Sequence, residues 1–155
     1  MPDTPADKPH HIPVNSLQPT RPLPSEGSLT LRVRYCECDP MGVVHHASYA
    51  PWLEMGRTEI LRASGVTYAA MEQAGIFLVI VKLDIRYRRP VKYDDLVEIR
   101  TKVKSVSRVK IEHEYDVIVI ERDSAKAEIH AAVATTTLAC VDPQGKVREL
   151  PAWLT

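Results

Sequence analysis

The chain has 155 residues, which is enough for one domain and too few for two full hydrophobic cores. Its 20 basic and 20 acidic residues give a formal net charge of zero, which argues against wholesale binding to nucleic acid or to an anionic membrane. No apolar run approaches the roughly 20 residues of a membrane-spanning helix, and the N-terminus lacks the apolar core of a secretory signal, so we expect a cytoplasmic protein.

The first 27 residues differ in composition from the rest of the chain. They contain seven of the twelve prolines and show no hydrophobic period. A segment of this kind buries too little apolar surface to order itself. The sequence therefore predicts a disordered N-terminal tail over residues 1–27 and one folded domain over residues 28–155.

The folded part is predicted to begin with a strand and two helices. Residues Leu29–Tyr35 alternate apolar and polar side chains, as a half-buried strand does. Apolar residues then recur at helical spacing after His46, until Ser64 and the glycine that follows it end the helix. Gly56 lies in the middle of this helix at a cost of about 1 kcal/mol relative to alanine, which a close approach to a sheet would justify. A short second helix is predicted at about Tyr68–Gln73.

Residues 76–141 are predicted to be almost entirely strand. Between Ile76 and Arg89 the odd-numbered residues from Phe77 to Tyr87 are apolar and form one face, and the other face carries Lys82, Asp84, Arg86 and Arg88. The same odd-numbered face is predicted for three later strands. Long alternating strands with one polar face indicate an antiparallel sheet, whose other face the long helix must cover. We therefore predict an α+β fold in which a curved, five-stranded antiparallel sheet wraps around one long central helix.

The segment Asp39–Tyr49 is the most informative part of the sequence. Asp39 follows the first predicted strand and precedes a Pro-Met-Gly turn, and the long helix is predicted to start near His46. Free backbone N–H groups at a helix start attract negative charge. A carboxylate close to such donors is what acyl transfer from an activated ester requires. In the alternative interpretation Asp39 only caps a turn, and His46 is a partly buried histidine without a role in a site.

Three segments carry a resemblance to a known family: the motif from Arg34 to Tyr49, the turn Arg89–Asp95, and the C-terminal part from Cys140 to Pro151. In these segments the chain resembles the hot-dog-fold acyl-CoA thioesterases, and most closely the 4-hydroxybenzoyl-CoA thioesterase and YbgC-like group. The resemblance implies the hot-dog fold, hydrolysis of an acyl-CoA to a free acid and CoA, and no cofactor other than the CoA of the substrate. It also implies a homodimer or homotetramer with sites at the subunit interface.

The resemblance further implies roles for individual residues. Asp39 falls on the catalytic aspartate, whose carboxylate either attacks the thioester carbonyl or activates a water. His46 falls on the position whose backbone N–H polarises that carbonyl, and its ring lines the acyl pocket. The residues predicted to bind substrate around them are Gly42, Val43, His45 and Tyr49. His45 stands where an aromatic residue is usual, which leaves the acyl preference open.

Two basic groups are candidates for contacts with the phosphates of CoA. One comprises Arg86, Arg88, Arg89 and Lys92, and the other is the hairpin segment 105–110. The resemblance favours the second group, from which the residues predicted to bind substrate are Ser107, Arg108 and Lys110. Acidic residues interleave with these cations and no aromatic stacking ladder is present, so we expect no nucleic-acid partner.

Several alternatives stay open. A hydratase or dehydratase of acyl thioesters shares the fold but typically carries a His–Asp or His–Glu pair in another arrangement. A non-catalytic acyl-CoA-binding protein would bind the ester without releasing a thiol. Glu54 is either a helix-borne catalytic carboxylate or an ion-pair partner of Arg57. A metal site is not expected, because Cys36 and Cys38 lack a second pair of ligands at suitable spacing.

Overall fold

A computed structural model of the protein describes residues 17–155. Its main elements are β1 (Glu26–Arg32), α1 (Tyr49–Ala63), α2 (Tyr68–Gln73), β2 (Phe77–Tyr87), β3 (Leu96–Val106), β4 (Lys110–Arg122) and β5 (Ala125–Val141). The strands form one antiparallel sheet in the order β1-β3-β4-β5-β2, and α1 packs against β1 and β3. This confirms the predicted α+β arrangement of five antiparallel strands around one long helix. Within residues 17–155 no helix is both long and apolar enough to cross a membrane.

Helix α1 packs closely against the sheet. Trp52 and Leu53 are each 1% exposed and belong to the main hydrophobic core. At Gly56 an added Cβ would overlap the Thr101 hydroxyl and lie 3.2 Å from Cγ2 of Ile99. The predicted close approach of the helix backbone to the sheet is therefore confirmed, and it accounts for a glycine in the middle of a helix.

A one-residue bulge changes which side chains of β5 face the core. The pairing with β4 passes from Val117 opposite Ala132 to Ile118 opposite His130, so Ala131 is the extra residue. Such a bulge reverses the two faces of a strand. The buried residues of β5 beyond it are Ala131, Ala132, Ala134, Thr136, Leu138, Ala139, Cys140 and Val141. The predicted odd-numbered face is thus wrong for the stretch from residue 132 to residue 138, where the buried residues are even-numbered.

The N-terminal part of the fold begins earlier than the sequence indicates. Strand β1 starts at Glu26, three residues before the predicted start. The backbone N–H of Thr20 donates to the carbonyl of Ser64 at 2.9 Å, and Leu17 and Leu23 pack against the hydrophobic cluster at the C-terminal end of α1. Residues 17–27 of the predicted tail therefore contact the domain, because the Pro-rich composition includes two leucines that find apolar partners. Residues 1–16 of that tail lie outside the described residues.

Candidate active site

The loop that joins β1 to α1 forms a tight turn around Asp39. The Asp39 backbone N–H donates to the Val43 carbonyl at 2.8 Å, and the Asp39 carbonyl accepts from the Gly42 N–H at 2.9 Å. Oδ1 of Asp39 accepts from the Met41 N–H at 2.8 Å. Gly42 has a φ of 76°, which favours glycine. Oδ2 of Asp39 has no hydrogen-bond partner among residues 17–155, so one carboxylate oxygen is held by the loop and the other is not.

The segment between β2 and β3 packs beside this loop. The Val44 N–H donates to the Val91 carbonyl at 2.8 Å, and Val43 pairs with Lys92 in an antiparallel bridge. Asp95, which is 1% exposed, accepts from the Lys92 N–H at 2.8 Å and from Nη2 of Arg122 at 2.6 Å. The Asp39 loop is therefore attached to a segment that the partly buried ion pair between Asp95 and Arg122 holds in place.

A 3-10 turn, His46–Ser48, lies directly before α1. Nδ1 of His45 accepts from the Ala47 N–H at 3.1 Å and so caps the start of this turn. The backbone N–H of His46 has no acceptor among the described residues, as expected for the first residue of a helical turn. The Tyr87 hydroxyl donates to the His46 carbonyl at 3.3 Å. The turn before α1 therefore offers the unpaired N–H of His46, and the contacts of His45 with Ala47 and of Tyr87 with the His46 carbonyl hold this turn in place.

These elements enclose an open cleft of about 360 Å³. The residues that line it are Asp39, Val43, Val44, His46, Tyr49, Tyr87, Arg88, Arg89 and Pro90. Four of the predicted site residues are thus brought together, namely Asp39, Val43, His46 and Tyr49. Gly42 shapes the loop and His45 caps the helix start, and neither lines the cleft. Tyr87, Val44 and Pro90 were missed, although Val44 and Pro90 lie in segments that carry the family resemblance.

Two tyrosines form an uncharged wall of the cleft. Tyr49 is 3% exposed, and burial raises its pKa to about 12. Its ring meets that of Tyr87 edge-on, with 4.9 Å between the centroids, and burial also raises the pKa of Tyr87. Both phenols therefore stay protonated at neutral pH. Among residues 17–155, Asp39 is the only carboxylate that lines this cleft.

The remaining predicted residues lie elsewhere in the chain. Ser107, Arg108 and Lys110 form the turn between β3 and β4, where the Ser107 N–H donates to the Lys110 carbonyl at 2.8 Å. They do not line the cleft of their own chain. Glu54 has an exposed side chain, and its Oε2 pairs with Nη2 of Arg57 at 3.1 Å. This contact supports the ion-pair interpretation of Glu54.

A larger depression, of about 910 Å³, lies on the polar face of the sheet and contains none of the predicted site residues. Basic and acidic side chains interleave along it, for example Arg100 and Glu98, whose Nη2 and Oε2 are 2.7 Å apart. Charges that neutralise each other in this way are typical of a solvated face. The smaller cleft at Asp39 is therefore the candidate active site.

The chain as a whole is similar to several known proteins. Residues 33–155 match the family model described as the thioesterase-like superfamily. The chain is 31% identical over 122 residues to the acyl-CoA thioester hydrolase YbgC of Escherichia coli O157:H7, which covers 78% of this chain and 87% of the relative. It is 33% identical over 116 residues to the acyl-CoA thioesterase YbgC of Haemophilus influenzae, which covers 74% of this chain and 80% of the relative.

The fold also resembles solved structures. Superposition on the 4-hydroxybenzoyl CoA thioesterase of Pseudomonas sp. strain CBS-3 gives a TM-score of 0.76 and covers 84% of this chain and 98% of that chain. The two sequences are 20% identical, so this likeness concerns the fold. It confirms the predicted hot-dog fold.

Proposed function

Because the chain belongs to the thioesterase-like superfamily, we propose that it hydrolyses an acyl-CoA thioester to a free acid and CoA, with Asp39 as the catalytic carboxylate. One observation carries this proposal. The Asp39 side chain lines the same cleft as His46, whose backbone N–H has no acceptor among the described residues. A nucleophile or base therefore faces a donor that can stabilise the oxyanion of a tetrahedral intermediate.

The mechanism requires one oxygen of Asp39 to reach the thioester carbonyl carbon. The Met41 N–H holds Oδ1 and so sets the orientation of the carboxylate, while Oδ2 has no partner among the described residues. In one route Oδ2 attacks the carbonyl, the CoA thiolate leaves, and water hydrolyses the mixed anhydride. In the other, Asp39 takes a proton from water as that water attacks the carbonyl, the tetrahedral intermediate then expels the CoA thiolate, and the proton passes from Asp39 to that thiolate or to solvent. Both routes use the N–H of His46 as oxyanion donor, and neither uses a metal or a further cofactor.

The proposed active form is a homodimer or homotetramer with sites at the subunit interface. Strand β2 lies at an edge of the sheet, and its apolar side chains are unusually exposed. The exposed fractions are 41% for Val79, 45% for Ile80, 54% for Val81, 41% for Leu83 and 51% for Tyr87. An exposed apolar edge strand favours pairing with a second chain. A neighbouring protomer would then bring its own Ser107, Arg108 and Lys110 toward the cleft.

A cytoplasmic location is part of the proposal. The three cysteines Cys36, Cys38 and Cys140 are free thiols in the structure, as proteins of reducing compartments generally have. The similarity to acyl-CoA thioesterases supports an acyl-CoA as the proposed substrate, and we propose neither a nucleic-acid partner nor a bound metal.

Release of free thiol from a panel of acyl-CoA esters tests the function directly. We expect turnover of at least one ester by the wild-type protein. Asp39→Asn should lower kcat by roughly 10²- to 10⁴-fold, because it removes the base or nucleophile while keeping the shape of the side chain. Water addition to an enoyl-CoA without thiol release would identify a hydratase instead. Tight binding of an ester without turnover, unchanged in Asp39→Asn, would identify a binding protein.

A further inference from the structure

Two consecutive arginines lie where the candidate active site opens to solvent. Arg88 and Arg89 follow the last residue of β2 and are both exposed. They line the cleft that contains Asp39, and they also line a second, neighbouring depression that contains Glu128 and His130. They are therefore the residues shared by the two depressions.

The β-bulge in β5 fixes the backbone of this pair. The N–H groups of Arg88 and Arg89 both donate to the carbonyl of Ala131, at 2.8 and 3.1 Å. Ala131 is the extra residue of the bulge, and bulges are common next to active sites, where they redirect side chains. The backbone of both arginines is thus held by one shared acceptor, and Nη1 of Arg89 also donates to the Arg88 carbonyl at 3.1 Å.

Neither arginine is neutralised by a carboxylate. Among residues 17–155, Arg88 and Arg89 form no ion pair, whereas seven other arginines do. Arg108 of the alternative basic group pairs with Glu149, with 3.5 Å between Nε and Oε1. The nearby His130 already contacts Asp116 at 3.2 Å. Two free cations at the mouth of the cleft create a local positive field that an anionic ligand would balance.

We propose that Arg88 and Arg89 of the same chain bind the diphosphate of CoA, an inference that rests on the proposed thioesterase function. An acyl-CoA that presents its thioester to Asp39 must extend its pantetheine arm and phosphates out of the cleft. Guanidinium groups bind phosphate oxygens through paired N–H donors, and two adjacent arginines suit two linked phosphates. These arginines hold a part of the substrate that does not react, so they contribute to KM rather than to kcat.

Matched substrates test the proposal. We would compare the best acyl-CoA of the panel with the same acyl group on pantetheine, which has no phosphate. For acyl-CoA, Arg88→Ala and Arg89→Ala should each raise KM roughly 10-fold with kcat nearly unchanged. For the pantetheine ester, both variants should behave like the wild type. Raising the ionic strength should increase KM for acyl-CoA in the wild type and much less in the double variant.

Control variants separate this pair from other cations. Arg86→Ala removes an exposed arginine of β2, two residues before Arg88, that does not line the cleft, and it should leave the turnover of both substrates unaffected. If Arg108→Ala and Lys110→Ala raise KM for acyl-CoA while the Arg88 and Arg89 variants do not, the proposal is overturned and the hairpin binds the phosphates. The same ester on an acyl-carrier protein, whose arm carries one phosphate, should show a smaller effect of the double variant.

The outcome also separates this proposal from the proposed function. Hydrolysis of both esters with no effect of the arginine variants leaves the thioesterase intact and removes the phosphate site. If no ester is hydrolysed, the affinity of the protein for CoA, measured by calorimetry, still tests the phosphate site. A Kd that is unchanged in Arg88→Ala/Arg89→Ala would refute the phosphate site, and a Kd raised at least about 10-fold would support it.

Discussion

The buried carboxylate of Glu37 accepts a hydrogen bond from the indole N–H of Trp52, with 2.9 Å between Oε1 and Nε1. The carbonyl of Glu37 accepts from the His45 N–H at 2.8 Å and from the Ser48 hydroxyl at 3.2 Å. Glu37 precedes Asp39 by two residues and contacts both the 3-10 turn and the first part of α1. One residue therefore fixes the loop that carries the proposed carboxylate relative to the helix start that carries the proposed oxyanion donor.

We predict that Glu37→Gln lowers kcat roughly 10-fold and changes KM little, because small displacements of reacting groups are costly. Two donors on Arg34, the backbone N–H and Nη2, also bind this carboxylate, at 2.8 and 2.9 Å. Burial alone would raise the pKa of Glu37, but the hydrogen bonds from Arg34 and Trp52 outweigh it and lower that pKa. Glutamine would place an NH₂ group against these donors, at a cost of about 1–3 kcal/mol in the free energy of unfolding.

Steady-state kinetics and urea unfolding of the same samples check this prediction. Glu59→Gln is the matched control, because Glu59 makes an exposed i,i+3 pair with Arg62 at 3.0 Å. It should change neither kcat nor stability noticeably. A Glu37→Gln protein with wild-type kcat, whatever its stability, would show that Glu37 has no positioning role.

We predict that His46→Ala impairs turnover far less than Asp39→Asn. The proposed oxyanion donor of His46 is its backbone N–H, which alanine retains, and its carbonyl still accepts from Tyr87. We expect a loss in kcat of less than about 10-fold for His46→Ala, against roughly 10²- to 10⁴-fold for Asp39→Asn. Single-turnover thiol release measures both. Equal losses in the two variants would mean that the imidazole itself takes part in the chemistry.

Local features of the sequence predicted the helices well, because the residues at which a helix begins and ends depend mainly on neighbours in the sequence. The run of apolar residues and the Ser64-Gly65 pair define α1, which ends at Ala63. The faces of the strands could not be predicted in the same way. The bulges at Val81 and Ala131 arise where paired strands fall out of register, and each reverses the faces beyond it. No residue within either strand marks that position.

Only the part of the candidate site that depends on residues close in sequence could be predicted. Asp39 and His46 are seven residues apart and share one loop and helix start, so their proximity followed from the chain itself. Arg88 and Arg89 reach the cleft from a distant part of the sequence. Their approach depends on tertiary contacts such as the 2.8 Å bond from the Val44 N–H to the Val91 carbonyl. A sequence can suggest such basic residues, but the fold decides which of them face the cleft.

We predict that Gly56→Ala destabilises the protein, although alanine normally favours a helix by about 1 kcal/mol. The new Cβ would overlap the Thr101 hydroxyl, and overpacking of a core typically costs about 1–3 kcal/mol. Thr101→Ala removes the obstructing hydroxyl, which has no hydrogen-bond partner among the described residues. The double variant should therefore be more stable than Gly56→Ala alone. Thermal unfolding of the three variants measures this, and purely additive effects would contradict the predicted clash.

We predict that His113 makes the protein less stable as the pH falls from about 6.5 toward 4. His113 is 6% exposed, and burial, aided by the charge of Arg57, lowers its pKa to about 4. The unfolded chain takes up a proton near pH 6.5, whereas the folded chain resists protonation until about pH 4. His113 therefore does not lower the free energy of unfolding above pH 6.5. Below that pH it lowers the free energy of unfolding, by roughly 2 kcal/mol at pH 5 and roughly 3 kcal/mol at pH 4.

Urea unfolding at pH 7 and pH 5 measures this loss for the wild type and for His113→Leu. Nδ1 of His113 has no hydrogen-bond partner among residues 17–155, so leucine breaks no bond at that atom. The variant should lose roughly 2 kcal/mol less between the two pH values than the wild type does. His130→Gln serves as the control, since His130 is exposed and pairs with Asp116 at 3.2 Å. An equal loss in the wild type and in His113→Leu would show that His113 is protonated as readily in the folded chain as in the unfolded one.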